Sequence, residues 1–309
     1  MGAPALQKII LGSRGSELAR RQAAMVEGAL RESAPGLEVE TRIISTRGDS
    51  QTTEPIDRRA GRKGLFTGEI ERALAAGEID VAVHSAKDLP SELTAGLELA
   101  AVLPRALVDD VLITKDGGAI TGMIGTGSVR RQHQLRWKFP VVQVVGLRGN
   151  VPTRIRKFIE SDWQGIVLAR AGLERLGYDV ATGSLDCDGK RVCAEVLSRF
   201  DFLPAGGQGI IGLEVRTGDE NVGAILRAIS HAETFRCLEA EREFLRLLQG
   251  DCGSPVGVLA TISGMTMTMR AQVFEPPRVE PVMARMEGDP AAPKKLARDL
   301  WEAINGQGN

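Results

Sequence analysis

Short apolar runs alternate with helical patterns from the N-terminus to about Ser230, and no other feature limits the fold as strongly. Lys8–Leu11 reads as a strand, Ser16–Glu32 as a helix, Val39–Ser45 as a strand, Thr67–Ala76 as a helix and Ile79–Ser85 as a strand. Later, Met123–Gly125 leads into a helix over Ser128–Lys138. Val141–Leu147 is a strand, Pro152–Ser161 a helix and Gly165–Ala169 a strand. This alternation predicts α/β layers around mainly parallel sheets. Leu99–Pro104 with Asp109–Thr114 reads as a crossing between domains, and the Gly/Pro-rich Pro204–Gly209 as the return crossing and hinge. After Asn221 the pattern changes. Helices over Asn221–Ser230 and His231–Leu248 precede strands over Val256–Ile262, Met265–Val273 and Val282–Arg285, then a helix over Ala291–Ile304. Separate runs of helix and strand indicate a small α+β domain. The expected division is 1–104 with 206–220 as a first α/β domain, 105–205 as a second, and 221–309 as the third.

A weak internal repeat supports the pair of α/β domains. Leu11-Gly12-Ser13-Arg14-Gly15-Ser16 precedes a helix carrying Arg20-Arg21-Gln22, and Ile124-Gly125-Thr126-Gly127-Ser128 precedes one carrying Arg130-Arg131-Gln132. Two similar domains facing each other explain this; chance likeness of short Gly-rich turns is the other explanation.

A chain of 309 residues is long enough for two or three such domains. Its 39 basic and 40 acidic side chains leave a net charge of −1, and aromatics are 4% of the residues. Both values count against a nucleic-acid binder, which needs a basic surface and stacking rings. No run of 18 apolar residues is present, and the N-terminal residues lack the basic and apolar regions of a secretory signal. Cys187, Cys193, Cys237 and Cys252 form no C-x-x-C pair. Reduced thiols in the cytoplasm and no metal site are therefore expected.

Charge is balanced overall but not locally. Residues 121–160 carry Arg130, Arg131, Arg136, Lys138, Arg148, Arg154, Arg156 and Lys157 against the single acid Glu160. Arginine suits bidentate recognition of carboxylate or phosphate. Thr126 and Ser128 stand at a helix start, where free N–H groups favour an anion, and Arg14 and Ser16 stand at the equivalent place in the first repeat. Taken singly, each of these is an ordinary cap or solvated side chain. Together they indicate a small ligand with several carboxylates or phosphates, and no P-loop sequence points to a nucleotide.

Ile79–Ser85 is a buried strand that runs into Ala86-Lys87-Asp88-Leu89-Pro90. Strand ends in open α/β sheets are where ligands bind. Asp88 suits a general acid/base or the stabilisation of a cation, and it equally suits a turn before Leu-Pro. Lys87 suits either an anion ligand or the surface, and His84 reads as a packed strand residue. Cys252 lies in a Gly/Pro-rich loop after a helix, unlike a buried structural cysteine. A helix C-terminus does not activate a thiol, but alkylation by a reactive cation depends less on activation. Cys237 reads as core, and Cys187 and Cys193 flank a hairpin turn.

Taken in order, these segments resemble the porphobilinogen deaminase (hydroxymethylbilane synthase) family. The likeness covers nearly the whole chain. It is carried by Ser13-Arg14-Gly15-Ser16, Thr46-Arg47-Gly48-Asp49, Lys63-Gly64-Leu65-Phe66, Val83 to Pro90, Gly125 to Gln132, Leu147 to Val151, Gly207-Gln208-Gly209 and Asp251 to Gly257. The resemblance implies two periplasmic-binding-protein-like α/β domains joined by a hinge, plus a small α+β C-terminal domain. It implies a transferase that joins four porphobilinogen units head to tail into hydroxymethylbilane, releasing ammonia, for tetrapyrrole and haem biosynthesis. It implies a dipyrromethane cofactor on a thioether to Cys252, with Asp88 catalytic. The carboxylates of cofactor and substrate would fall to Arg14, Ser16, Ser85, Lys87, Thr126, Ser128, Arg130, Arg131, Arg148, Arg154 and Arg175. Gln208 would belong to the hinge and Lys63 to a covering loop. A cytoplasmic monomer that releases free product and binds neither nucleic acid nor membrane is expected. The chain departs from the pattern at Gly127, where a second serine is usual, at Gly206, where an apolar residue is common, and in a long Tyr178–Arg199 segment.

A binding module of two α/β lobes also fits the anion-binding helix starts, as in solute receptors and transcriptional effector domains. It leaves Cys252 and the third domain unexplained. An inactive relative is the remaining reading, and the intact Lys87-Asp88 and Cys252 weigh against it.

Overall fold

The computed structural model describes residues 6–46, 67–187, 189–249 and 254–306. Lys63 and Cys252, together with most of the segments around them, lie outside the described residues. The chain divides into two compact units, Met1–Arg105 with Ile210–Phe235, and Ala106–Gly209 with Arg236–Asn309.

In the first unit, strands β1 (Lys8–Arg14), β2 (Glu38–Ile44), β3 (Val81–Ser85), β4 (Leu97–Val102) and β11 (Ile211–Arg216) form a sheet in the order β2-β1-β3-β11-β4. Pairings among β1, β2 and β3 are parallel, whereas β11 runs antiparallel to both of its neighbours. Helix α1 (Glu17–Ser33) covers it with Ala19, Gln22, Ala23, Val26 and Leu30, a spacing that keeps one face inward. Helix α2 is Gly68–Ala75. Helix α6 (Glu220–Ile229) is capped by Asp219, which accepts from Val222 N at 3.2 Å. It sets Val222 and Leu226 into the same core as Ile9, Leu11 and Val26.

The second unit holds two sheets. Strands β5 (Asp110–Thr114), β6 (Met123–Gly125), β7 (Gln143–Val145), β8 (Gly165–Ala169), β9 (Ser184–Cys187) and β10 (Lys190–Val196) form one in the order β7-β6-β8-β5-β10-β9. Here β6 is parallel to β7 and β8, and β5, β10 and β9 are antiparallel additions. Helices α3 (Val129–Lys138), α4 (Val151–Glu160) and α5 (Arg170–Arg175) accompany it. Cys187 and Cys193 lie on the β9–β10 hairpin, as expected. The other sheet is an antiparallel meander of β12 (Val256–Ser263), β13 (Thr266–Val273) and β14 (Val282–Gly288). It shares a core of its own with α7 (Ala232–Leu247) and α8 (Pro293–Gly306), built on Phe244, Met267, Met269 and Leu300, with Cys237 among them.

Three expectations need correction. The sheets are mixed rather than mainly parallel, because the strands beyond β3 and β8 return antiparallel. The boundary at 221 is displaced: α6 buries its apolar face on the first sheet. Residues 206–209 belong with the second unit, where Glu241 Oε2 accepts from Gly207 N at 2.7 Å and Gln208 Nε2 donates to Val108 O at 2.7 Å. Gly206 fits a close approach, since a Cβ there would stand 2.9 Å from Leu245 Cδ1 and 3.0 Å from Val258 Cγ1.

The internal repeat is visible in the topology. Strand–helix–strand–helix–strand runs β1-α1-β2-α2-β3 in one sheet and β6-α3-β7-α4-β8 in the other, and each first strand lies between the other two.

Candidate functional site

In the first unit, β1 and β3 end beside the start of α1. Ser16 caps that helix, its Oγ accepting from Ala19 N at 3.3 Å. A small open pocket lies there, lined by Arg14, Ser16, Gln22, His84, Ser85 and Asp88 among others. Four residues singled out from the sequence, Arg14, Ser16, Ser85 and Asp88, thus meet around one space. Asp88 ends the 3-10 turn Ala86–Asp88 that follows β3, with half-buried Lys87 beside it. Ala86 N donates to Ile210 O at 2.9 Å, which fixes where the turn begins.

Two pocket residues are additions to the sequence reading. Gln22 sits on the buried face of α1 and exchanges hydrogen bonds with Ser85 at 2.8 and 3.1 Å. A polar residue at a core-facing helical position was its signal. His84 is packed, as expected, but not against apolar groups alone: its Nε2 lies 3.1 Å from Glu214 Oε2, with both side chains buried.

In the second unit, Ser128 caps α3, its Oγ accepting from Arg131 N at 3.4 Å. Thr126 is buried two residues earlier, and its Oγ1 accepts from Ser128 N at 3.3 Å. Gly127 stands between them for a packing reason. A Cβ there would lie 2.5 Å from Leu147 O, so the serine usual at this position would require the backbone to move.

Arg130 and Arg131 are held by a buried acid, and the Nε of each is buried without a hydrogen-bond partner. They are 3% and 5% exposed and share Asp110, which is fully buried. Arg130 Nη1 reaches Asp110 Oδ2 at 2.9 Å, and Arg131 Nη2 reaches Asp110 Oδ1 at 2.7 Å. Gln208 Nε2 donates to the same Oδ1 at 2.8 Å. Burial alone would raise the Asp110 carboxyl; the two guanidiniums outweigh it and hold it well below the usual carboxylate range. Each arginine thus pairs with the protein's own acid through one Nη. Asp110 was missed because it opens an apolar run, Val111-Leu112-Ile113, where an acid reads as a strand boundary.

The remaining basic residues differ. Arg148 is exposed. Half-buried Arg154 donates from Nε to Gly149 O at 2.6 Å. Arg175 donates from Nη2 to Gly209 O at 2.7 Å, while its Nε is buried without a hydrogen-bond partner. Burial pushes Arg175 down to about 10, and no carboxylate pairs with it among the described residues. A desolvated guanidinium with an unmet N–H fits an incoming carboxylate.

A family model described as porphobilinogen deaminase, dipyromethane cofactor binding domain, matches residues 9–224, and one described as porphobilinogen deaminase, C-terminal domain, matches residues 235–305.

The chain belongs to the porphobilinogen deaminase family.

A porphobilinogen deaminase from Syntrophobacter fumaroxidans is 39% identical over 297 residues, 94% of this chain and 92% of the relative. One from Syntrophomonas wolfei is 39% identical over 308 residues, covering 98% and 97%. One from Roseiflexus sp. is 43% identical over 272 residues, 86% of each. Among solved structures, the periplasmic VFT2 domain of BvgS from Bordetella pertussis aligns with 72% of this chain and 87% of that one, at TM-score 0.44 and 15% identity. That likeness is too distant to bear on the site.

The protein is therefore a hydroxymethylbilane synthase, a transferase of tetrapyrrole biosynthesis with a dipyrromethane cofactor and porphobilinogen as the family's substrate. The donor set suits that cofactor, whose pyrroles carry carboxylate side chains. Arg175 offers an unmet buried N–H, and Ser128 and Thr126 stand at a helix start where an anion is favoured.

Proposed function

We propose that Asp88 is the acid–base group of the reaction and that Cys252 carries the cofactor. The observation that carries the first assignment is the pocket in which Asp88 meets Arg14, Ser16 and Ser85 at the ends of β1 and β3. Porphobilinogen bears an aminomethyl group and two carboxylate arms. Arg14 and the Ser16 helix start take a carboxylate, with Lys87 and Ser85 nearby as further donors. Asp88 gives a proton to the leaving amine, so the carbon–nitrogen bond breaks and ammonia departs. Its carboxylate then faces the resulting cation and the pyrrole N–H. When bound, dipyrromethane supplies the free pyrrole α-carbon on which the first unit is joined. Thr126, Ser128, Arg148, Arg154 and Arg175 hold carboxylates of cofactor and chain, and Arg130 and Arg131 raise the positive potential there from within the protein. Gln208 acts through Asp110. Lys63, by position in its motif, belongs to a covering loop.

The same reading makes the protein a cytoplasmic monomer that releases free hydroxymethylbilane and takes neither nucleic acid nor membrane. Its balanced charge supports this, and no helix among the described residues is long and apolar enough to cross a membrane.

Two measurements test the reading. Intact mass of the purified protein should exceed the sequence mass by two linked pyrrole units, and Cys252→Ser should lack the excess. Asp88→Asn should retain the wild-type melting temperature within a few degrees and lose roughly 10²- to 10⁴-fold in turnover, the usual worth of a positioned acid–base group. Near-normal turnover in Asp88→Asn removes the catalytic assignment.

A further inference from the structure

The arginine helix is joined to the root of the segment that carries Cys252. On α3, Gln134 is fully buried and lies one turn after Arg130, whose Nη1 donates to Gln134 Oε1 at 2.8 Å. Gln134 Nε2 donates to Gln272 Oε1 at 2.6 Å and to Leu203 O at 2.9 Å. Gln272, also fully buried, lies on β13 and passes its own Nε2 hydrogen bond to Asp201 O at 3.0 Å. Arg130 closes the figure by donating to Leu203 O at 2.8 Å.

The strand partner of Gln272 gives this relay its significance. Gln272 pairs with Gly257 near the start of β12, and Cys252 precedes Gly257 by five positions. Gly257 itself fits against the same carbonyl, since a Cβ there would lie 2.7 Å from Leu203 O. Val258 N then donates to Pro204 O at 2.9 Å. An apolar contact accompanies the polar one: the Phe274 ring lies 5.5 Å from His133 and 6.2 Å from Trp137 on α3, centroid to centroid.

Apolar packing alone tolerates sliding, whereas paired amides fix one register, because a shifted pair leaves buried polar groups unmet. We infer that Gln134 and Gln272 are positioning residues for cofactor loading: their amide relay sets the root of the Cys252 segment in register with the arginine helix. This rests on Cys252 being the attachment point.

The test compares stability with loading. Gln134→Met, Gln272→Met and the double variant are made as apoproteins, with Cys252→Ser as control. Urea unfolding gives stability, and intact mass after adding porphobilinogen gives the loading rate. Each single variant strands a buried partner and should lose stability. The double variant removes both halves of the amide pair and should lose less than the sum of the singles, although Leu203 O and Asp201 O each still lose a donor. Loading should stay slowed in all three, by about tenfold to 10²-fold, as for a misplacement of about 1 Å. If the double variant loads at the wild-type rate, the relay is only a packing contact and the inference fails. If the double variant does not fold, Gln134→Asn and Gln272→Asn, which keep the amide on a shorter arm, carry the same test, and normal loading in both overturns it. A wild-type chain that gains no mass, like Cys252→Ser, removes the attachment reading and this inference with it. Wild-type loading with unaffected variants removes this inference alone.

Discussion

The two strand–turn–helix repeats begin alike and diverge within one helical turn. Ser16 and Ser128 cap α1 and α3 through the backbone N–H three residues on, and six residues on each helix buries a glutamine, Gln22 or Gln134. At the third position the first repeat has Ala19 and the second has Arg131. The acids differ to match. Each sheet buries one acid on the strand that runs antiparallel beside its third parallel strand, Glu214 on β11 and Asp110 on β5. Glu214 faces His84, and Asp110 faces Arg130 and Arg131. One scaffold thus supports two sites of different character. In the first, an alanine at the helix start leaves room for a pocket beside Asp88. In the second, the arginine at that position joins a buried charge cluster. An imidazole can hydrogen-bond an acid or an amide, whereas a guanidinium keeps a full charge that needs a counter-charge.

That asymmetry sets the largest expected effect. Asp110→Asn keeps the shape of the side chain and strands two buried guanidiniums, so urea unfolding should show a loss of about 3–5 kcal/mol. Glu214→Gln keeps a hydrogen-bonding group beside the His84 ring, so its loss should be about 1 kcal/mol. Equal losses would show that the two buried acids are interchangeable supports, and the contrast between the sheets would have no energetic content.

Acid should sharpen the same contrast. The folded Asp110 carboxyl is held below its ordinary value, since the two guanidiniums outweigh its burial. The folded state therefore binds this proton less readily than the unfolded chain. Its contribution is complete above the unfolded value of about 4 and is lost as pH falls below it towards the folded value. Wild-type stability should consequently fall more steeply than that of Asp110→Asn between about pH 4 and about pH 2. Parallel acid limbs would place the acid sensitivity elsewhere.

Much of this architecture can be read from the sequence because the periodicity is local. Glu17–Ser33 and Val129–Lys138 show their helical spacing and serine caps directly, and Ala232 to Gly306 shows its change of pattern. The pocket residues Arg14, Ser16, Ser85 and Asp88 were readable from their place at strand ends. Partner choice was not readable. Arg-Arg-Gln occurs in both helices, but it begins four residues after Ser16 and two after Ser128. At 3.6 residues per turn that offset exposes Arg20 and Arg21 and buries Arg130 and Arg131. Only the fold brings Asp110, from a strand twenty residues away, to the buried pair. Gln134 with Gln272 and Glu241 with Gly207 are hidden for the same reason: each pairs distant segments, and a lone polar residue in an apolar pattern does not name its partner.

The smallest effect concerns the shared feature, the serine caps. Loss of a cap hydrogen bond costs about 1 kcal/mol in a typical helix. In α1 the polar hold that remains on Ala19 once Ser16 is removed is a neutral hydrogen bond, from Ser13 Oγ to Ala19 O at 3.1 Å, so Ser16→Ala should cost near that value. In α3 the Arg131 side chain remains tied to Asp110 and donates to Val167 O at 3.1 Å. The first turn is then held from two sides, and Ser128→Ala should cost less than Ser16→Ala. In an Asp110→Asn background that second hold is weakened, and the cost of Ser128→Ala should rise to match its counterpart. A double-mutant cycle on Ser128 and Asp110, read by urea unfolding, isolates the coupling. Additive losses would mean that cap and acid act independently, and that the inward arginine of the second repeat adds nothing to the helix start from which it grows.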